Sequence, residues 1–183
     1  TVRVALLGSW ITESLYSELS LSKIVNDLHL KTGATVILGL QSDIHVQYIN
    51  VSQTPERRKK LKWYLKPGSL RPLARSAVGK MILSQKSNDE ITYLLRRINA
   101  SECKSKNLIS EFNFLEEMIF IRENGYAITQ GAVNPQAGVI AQLVPVHPKQ
   151  PIMALGIGAE NSELKRKKSL YLKYLHETLE FFT

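Results

Sequence analysis

Cysteine is almost missing from this chain. With Cys103 as the single thiol in 183 residues, an internal disulfide and a thiolate-rich metal site are both excluded, and a reducing cytoplasm is the expected setting. Long apolar runs are missing too: no uninterrupted stretch approaches the roughly 18 residues of a transmembrane helix, so no membrane partner is expected. The chain opens at Thr1 with neither an initiator Met nor a basic-then-apolar leader, which fits neither a secretory signal nor an intact natural N-terminus. Its 44% hydrophobic and 22% charged content belongs to a soluble globular protein, and the length suits one domain with an extra helix or two.

The common signatures of catalysis are lacking as well. There is no Gly-x-Ser-x-Gly elbow and no spaced carboxylate pair in an apolar setting. His29, His45, His147 and His176 fall on separate elements without metal-ligand spacing. The segment Ser76-Ala77-Val78-Gly79-Lys80 resembles a phosphate loop, but Ala74 stands where its first Gly belongs and Met81 where a Mg²⁺-binding Ser or Thr would be. Gly156-Ile157-Gly158 follows an expected strand, yet Asn161 occupies the third Gly position of a dinucleotide fingerprint. No catalytic residue, cofactor or metal is therefore expected.

What the chain does have is concentrated positive charge. The whole net charge of +8 lies between Glu56 and Lys80, where Arg57, Arg58, Lys59, Lys60, Lys62, Lys66, Arg71, Arg75 and Lys80 face one acid, while the remaining residues balance. Such a run is either a solvated face or the footprint of an anionic partner. The second run, Lys165 to Lys168, is offset by nearby glutamates and reads as surface.

Residues 5–18 fit an amphipathic helix preceding the main body. Ser20 then caps a second helix, with Leu21, Ile24, Val25 and Leu28 on one face and Gly33 at its end. Residues 35–40 and 44–51 form a hairpin around Gln41-Ser42-Asp43. Leu61, Trp63 and Leu65 alternate with Lys62 and Tyr64, which predicts a half-buried strand over 61–65. Helices are expected over 73–84, from the Ser87-x-x-Glu90 capping box onward, and over 110–124 before Gly125, with a polar loop at 99–108. Strands follow at 126–129, 139–146 and 152–158, the last two joined by the turn at 148–151. Asn161 or Ser162 caps a final helix with Leu164, Tyr171, Leu175, Leu179 and Phe182 inward.

This order mixes hairpins with helices, so the fold class is α+β with a mainly antiparallel sheet. Ala77, Val78, Ala141, Leu143, Gly156 and Gly158 gather near expected strand ends and a helix start. Small residues there leave room for a ligand or allow close helix–sheet packing, and both readings stand.

Several segments resemble, in order and spacing, the C-terminal effector-binding domain of IclR-type transcription factors. They are Thr32-Gly33-Ala34-Thr35-Val36, Pro72-Leu73-Ala74-Arg75-Ser76-Ala77-Val78-Gly79-Lys80, Asn124-Gly125-Tyr126-Ala127-Ile128 and 138–146. The resemblance runs from about Leu6 to Phe182. It implies a GAF-like domain with a curved, mainly antiparallel sheet flanked by helices, occupying residues 20–183 behind a linker and oligomerisation helix at 1–19. It further implies a small-molecule effector, a homodimer or homotetramer, and operator DNA read by a winged helix-turn-helix preceding Thr1. Leu6, Leu7, Trp10 and Ile11 are the expected subunit contact, because a lone amphipathic helix must cover its apolar face.

Carried over by position, the effector site comprises Ser76, Ala77 and Val78, then Thr129 and Gln130, then Ala141 and Leu143, with Gly156 and Gly158 on the last strand. The chain departs from the family pattern here. Thr129, Gln130, Gly131 and Ala132 replace positions often acidic, Ala141, Gly156 and Gly158 replace Cys and Ser, Ala74 replaces a His, and two extra residues precede Gly138. A pocket stripped of those groups predicts a larger or more apolar effector, aromatic and packed near Trp63 and Leu65, or a vestigial pocket that binds nothing. The alternative from another class is a direct nucleic-acid-binding module using the basic segment 57–62, with Trp63 and Tyr64 stacking on bases.

Overall fold

A computed structural model describes residues 21–61, 64–102, 104–145 and 150–180. The expected linker helix with Leu6, Leu7, Trp10 and Ile11, together with Trp63, Cys103 and Phe182, lies outside the described residues.

Helix α1 (Leu21–Thr32) buries Leu21, Val25 and Leu28, and its end is set by Gly33 at φ +61°. A left-handed residue at that point is what glycine supplies at low cost. Strands β1 (Thr35–Ser42) and β2 (His45–Ser52) form the expected hairpin, its turn displaced to Asp43-Ile44 with Asp43 at φ +54°. Helix α2 (Pro55–Leu61) and the short β3 (Leu70–Pro72) follow. After a 3₁₀ turn at Leu73–Arg75 come α3 (Ala77–Leu83), α4 (Asn88–Ala100) and α5 (Glu111–Asn124). The last part is β4 (Ala127–Gln130), β5 (Ala137–Leu143), β6 (Met153–Glu160) and α6 (Asn161–Leu179).

The six strands make one curled sheet in the order β3-β2-β1-β6-β5-β4, with every adjacent pair antiparallel. A register shift between Leu38 and Gly39 adds local bend to the hairpin. Alternation along the strands divides the core in two. Val36, Leu38, Ile140, Leu155 and Ile157 pack under α1 and α6, while Ile37, Val46, Tyr48, Val139 and Ala141 face α3. On that second side α5 packs on α3, and α4 packs on α5. Helix α4 starts with the expected reciprocal cap, in which Ser87 Oγ accepts from the Glu90 N–H and the Glu90 carboxylate accepts from the Ser87 N–H.

Three expectations are corrected. Leu61, expected to begin a strand over 61–65, instead ends helix α2, which starts where Thr54 Oγ1 accepts from the Arg57 N–H and Pro55 sits at the first helical position, and Tyr64 and Leu65 are not in a strand. The helix expected over 73–84 is broken at Ser76, whose extended backbone (φ −95°, ψ 143°) separates the 3₁₀ turn from α3. Finally, α6 has neither Asn161 nor Ser162 as its cap: the capping position is Glu160 without a side-chain bond, and Asn161 Nδ2 donates to the Pro135 carbonyl at 2.8 Å.

Candidate functional site

The cross-strand register places the small residues in rows on the α3 side of the sheet. Ile37, Gly156, Ala141 and Ala127 stand opposite one another across β1, β6, β5 and β4. The adjoining rows contain Thr35, Gly158, Val139 and Thr129 on one side, and Tyr48, Gly39, Ala154 and Leu143 on the other. Side chains directly opposite in an antiparallel pair share a face, so these rows form one floor. Its middle is shallow for want of side chains.

Val78, at the start of α3, fills that depression. A Cβ added at Gly39 or Gly156 would lie 3.1 Å from a Val78 methyl, so the valine is seated where those side chains would be. Ala77 and Val78 are fully buried, as is Ala141. Close helix–sheet packing is thus the role of the small residues between Val78 and Gly156.

Space remains beside this plug. A recess of about 10 Å³ is bordered by Tyr48, Ser76, Thr129 and Val139, and its outer wall is the β4–β5 connection at Ala132, Val133, Asn134 and Ala137. That volume suits about one water molecule. Its polar side chains are three hydroxyls, of Tyr48, Ser76 and Thr129, and the Asn134 amide. Ser76 Oγ caps α3 by accepting from the Gly79 N–H at 3.1 Å, which leaves the serine proton free to donate. Burial pushes the Tyr48 phenol up to about 12, despite the opposing pull of the nearby Arg71 cation, so it remains a donor at neutral pH.

Of the residues singled out from the sequence, Ser76 and Thr129 border the recess, while Ala77, Val78, Ala141, Gly156 and Gly158 belong to the packed floor beside it. The others lie elsewhere. Leu65 is buried in the core next to Gln53, whose Oε1 accepts from its N–H. Leu143 packs at the core's edge, and Gln130 is exposed with its amide directed to the Asn161 carbonyl. Sequence reasoning missed Tyr48, Val139 and the wall at 132–134. Period-two alternation from Val46 and Ala141 was the available signal for the first two.

Four of the basic residues between 57 and 80 have partners in different parts of the fold. Arg57 makes a two-pronged ion pair with Glu163 at 2.6 and 3.1 Å, and its Nε donates to the Gly33 carbonyl. Lys80 is bound to both oxygens of Glu117, and Arg75 donates to the Asn107 carbonyl. Arg71 lies 5.8 Å from the Tyr48 ring centroid. Arg57 and Lys80 are neutralised inside the fold and residues 57–61 lie on a helix, and nothing among the described residues favours the nucleic-acid alternative. Among the described residues no group of His, Cys, Asp and Glu could hold a metal ion, and no helix is long and apolar enough to cross a membrane.

The profile of the family described as "Bacterial transcriptional regulator IclR C-terminal" matches residues 18–180. Among solved structures, the effector domain of a transcriptional regulator IclR from Acinetobacter sp. ADP1 is 24% identical, with 93% of this chain and 97% of that chain covered at a TM-score of 0.80. The Thermotoga maritima IclR is 19% identical, with 97% and 71% covered, also at 0.80. The inducer-binding domain of the Acinetobacter transcription factor PobR, a double mutant in complex with 3-hydroxybenzoic acid, is 18% identical with 87% and 93% covered at 0.74. No curated protein matches the sequence.

Proposed function

The chain belongs to the family of bacterial transcriptional regulators defined by the IclR C-terminal domain, and from that membership we propose that its recess at Tyr48, Ser76 and Thr129 receives the small-molecule effector. The observation carrying this reading is the meeting of Ser76, at the start of α3, with Thr129, at the end of β4, around unfilled space. It has support in the inducer-binding domain of PobR, a protein of similar fold that holds 3-hydroxybenzoic acid. Ala141, Gly156 and Gly158 act as the floor on which Ala77 and Val78 seat α3, and Leu65, Leu143 and Gln130 would meet an effector only after rearrangement. Because the recess has room for about one water, any aromatic effector must displace the wall at 132–134, where Val133 is already 40% exposed.

In this reading the domain works in the cytoplasm as part of a homodimer or homotetramer, with Leu6, Leu7, Trp10 and Ile11 in the subunit contact. Effector binding changes how subunits are placed and thereby the spacing of DNA-reading domains on the operator. No covalent step on the effector is involved.

The test is thermal unfolding against a panel of small keto acids and aromatic acids. A ligand present at about 100 times its Kd stabilises the folded state by about 2.7 kcal/mol, or roughly 5–10 °C for a chain of this size. Thr129→Phe fills the recess from an edge strand and is expected to abolish that shift. A shift of the same size in the variant would place the effector elsewhere.

A further inference from the structure

We propose that Tyr48 is the specificity-determining residue of the recess, selecting an effector with an apolar body and one oxygen that accepts a hydrogen bond. This inference rests on the reading of the recess as the effector site. Tyr48 is only 2% exposed, borders the recess, and its hydroxyl makes no hydrogen bond among the described residues. The oxygen is not among the buried side-chain polar atoms left without a partner, so it is open to a water-sized molecule at the recess. No hydrogen bond of the described fold uses the hydroxyl, and phenylalanine would fill the same space in β2. The use of the hydroxyl lies with whatever enters.

The neighbours agree on the polarity of the missing partner. The Ser76 hydroxyl already receives the Gly79 N–H and has its proton to offer, and Thr129 adds another hydroxyl at the border. Three hydroxyl-bearing residues thus border a space whose remaining wall is Ala132, Val133, Asn134, Ala137 and Val139. The Arg71 guanidinium, 5.8 Å from the Tyr48 ring centroid, places positive charge beside the phenol and makes its O–H a better donor. The recess-lining side chains include no carboxylate, and their one carbonyl, Asn134 Oδ1, already accepts from the Gln136 N–H at 2.9 Å. A site built on donors rejects an isostere that lacks the acceptor, because the hydroxyls are then sealed off unpaired.

The 183-residue chain and its Tyr48→Phe variant are titrated calorimetrically with benzoate, acetophenone and ethylbenzene, which share a ring and differ in the acceptor. Benzoate and acetophenone are followed to about 10 mM, where binding in the millimolar range still registers. Expected is binding of benzoate and acetophenone to the wild type ahead of ethylbenzene, and about a tenfold loss for both oxygenated probes in the variant. Unchanged ethylbenzene binding, or an unchanged melting curve, shows that the variant is folded. Equal affinity of variant and wild type for all three would overturn the role of Tyr48 while leaving the recess as the effector site. Failure of every probe to bind the wild type would overturn the recess itself as that site, and the assignment of Tyr48 with it.

Discussion

Gly79 is the residue with the least freedom around the site. A Cβ there would come 2.0 Å from the Leu73 carbonyl oxygen and 2.8 Å from Ser76 Oγ, so α3 approaches the preceding 3₁₀ turn more closely than any side chain allows. The same Ser76 Oγ accepts the Gly79 N–H, which makes the close approach and the helix cap one piece of geometry. Gly79→Ala must push backbone against backbone, and with it Val78 off the floor at Gly39 and Gly156. The expected cost is about 2–4 kcal/mol, read from urea unfolding. A change smaller than about 0.5 kcal/mol, the range of neutral surface substitutions, would mean that α3 can slide freely. Ala77, Val78, Ala141, Gly156 and Gly158 were legible from their size, because small residues mark where a chain comes close to another element, whereas Ser76 and Thr129 came, as site residues, only from the family resemblance. Tyr48 came from neither. Alternation tells which face of a strand is inward, but the end of that face that meets a gap depends on the curl of the sheet and on the distant wall at 132–134.

At the scale of elements, α2 shows how a charged segment can be misread. Leu61, Trp63 and Leu65 follow a strand-like alternation, whereas the helix that precedes them is announced by Thr54-Pro55-Glu56, with a cap, a proline at the first position and an acid in the first turn. What holds α2 in place comes from far away in the chain. Glu163, in the first turn of α6, accepts from Arg57, from Lys167 at 3.0 Å and from Tyr171 Oη at 2.8 Å. The Arg57 hydrogen bonds are the main reason its carboxyl falls from an ordinary 4.5 to about 2, against the opposing effect of burial. Because the folded value lies below the unfolded one, the associated stability is complete above about pH 4.5 and is lost as pH falls toward 2. Glu163→Gln is therefore expected to lower the melting temperature at pH 7 and to bring the variant and wild type together near pH 2. Partial exposure of the pair to water reduces the size of the effect without changing its sign. A gap in melting temperature that stays constant from pH 7 to pH 2 would show that the carboxylate's charge does not hold α2 to α6.

For the molecule as a whole, the sheet is the shared wall of both cores. The α+β class, the antiparallel hairpins and the order of helices were legible because β-branched runs, turn residues, the Ser87 cap and Gly125 are local signals. Strand order was not of that kind: β1 meets β6 across most of the chain, in the register Ile37 with Gly156 and Thr35 with Gly158, and no local signal announces that pairing. That pairing makes β1 and β6 the centre. All but the last residue of β6 and the first five of β1 are buried, with the α1 and α6 core on one side and the α3 core on the other. Neither core can open without stripping the common strands, so denaturant unfolding is expected to be a single transition. Amide hydrogen exchange supplies the finer prediction. The inner amides of β1 and β6 exchange only through global unfolding, whereas residues 131–136, exposed over most of their length, exchange through local opening and become slower when an effector fills the recess behind them. Slow exchange at 131–136 already in the free protein, or no added protection on ligand binding, would exclude that wall as the moving side of the site.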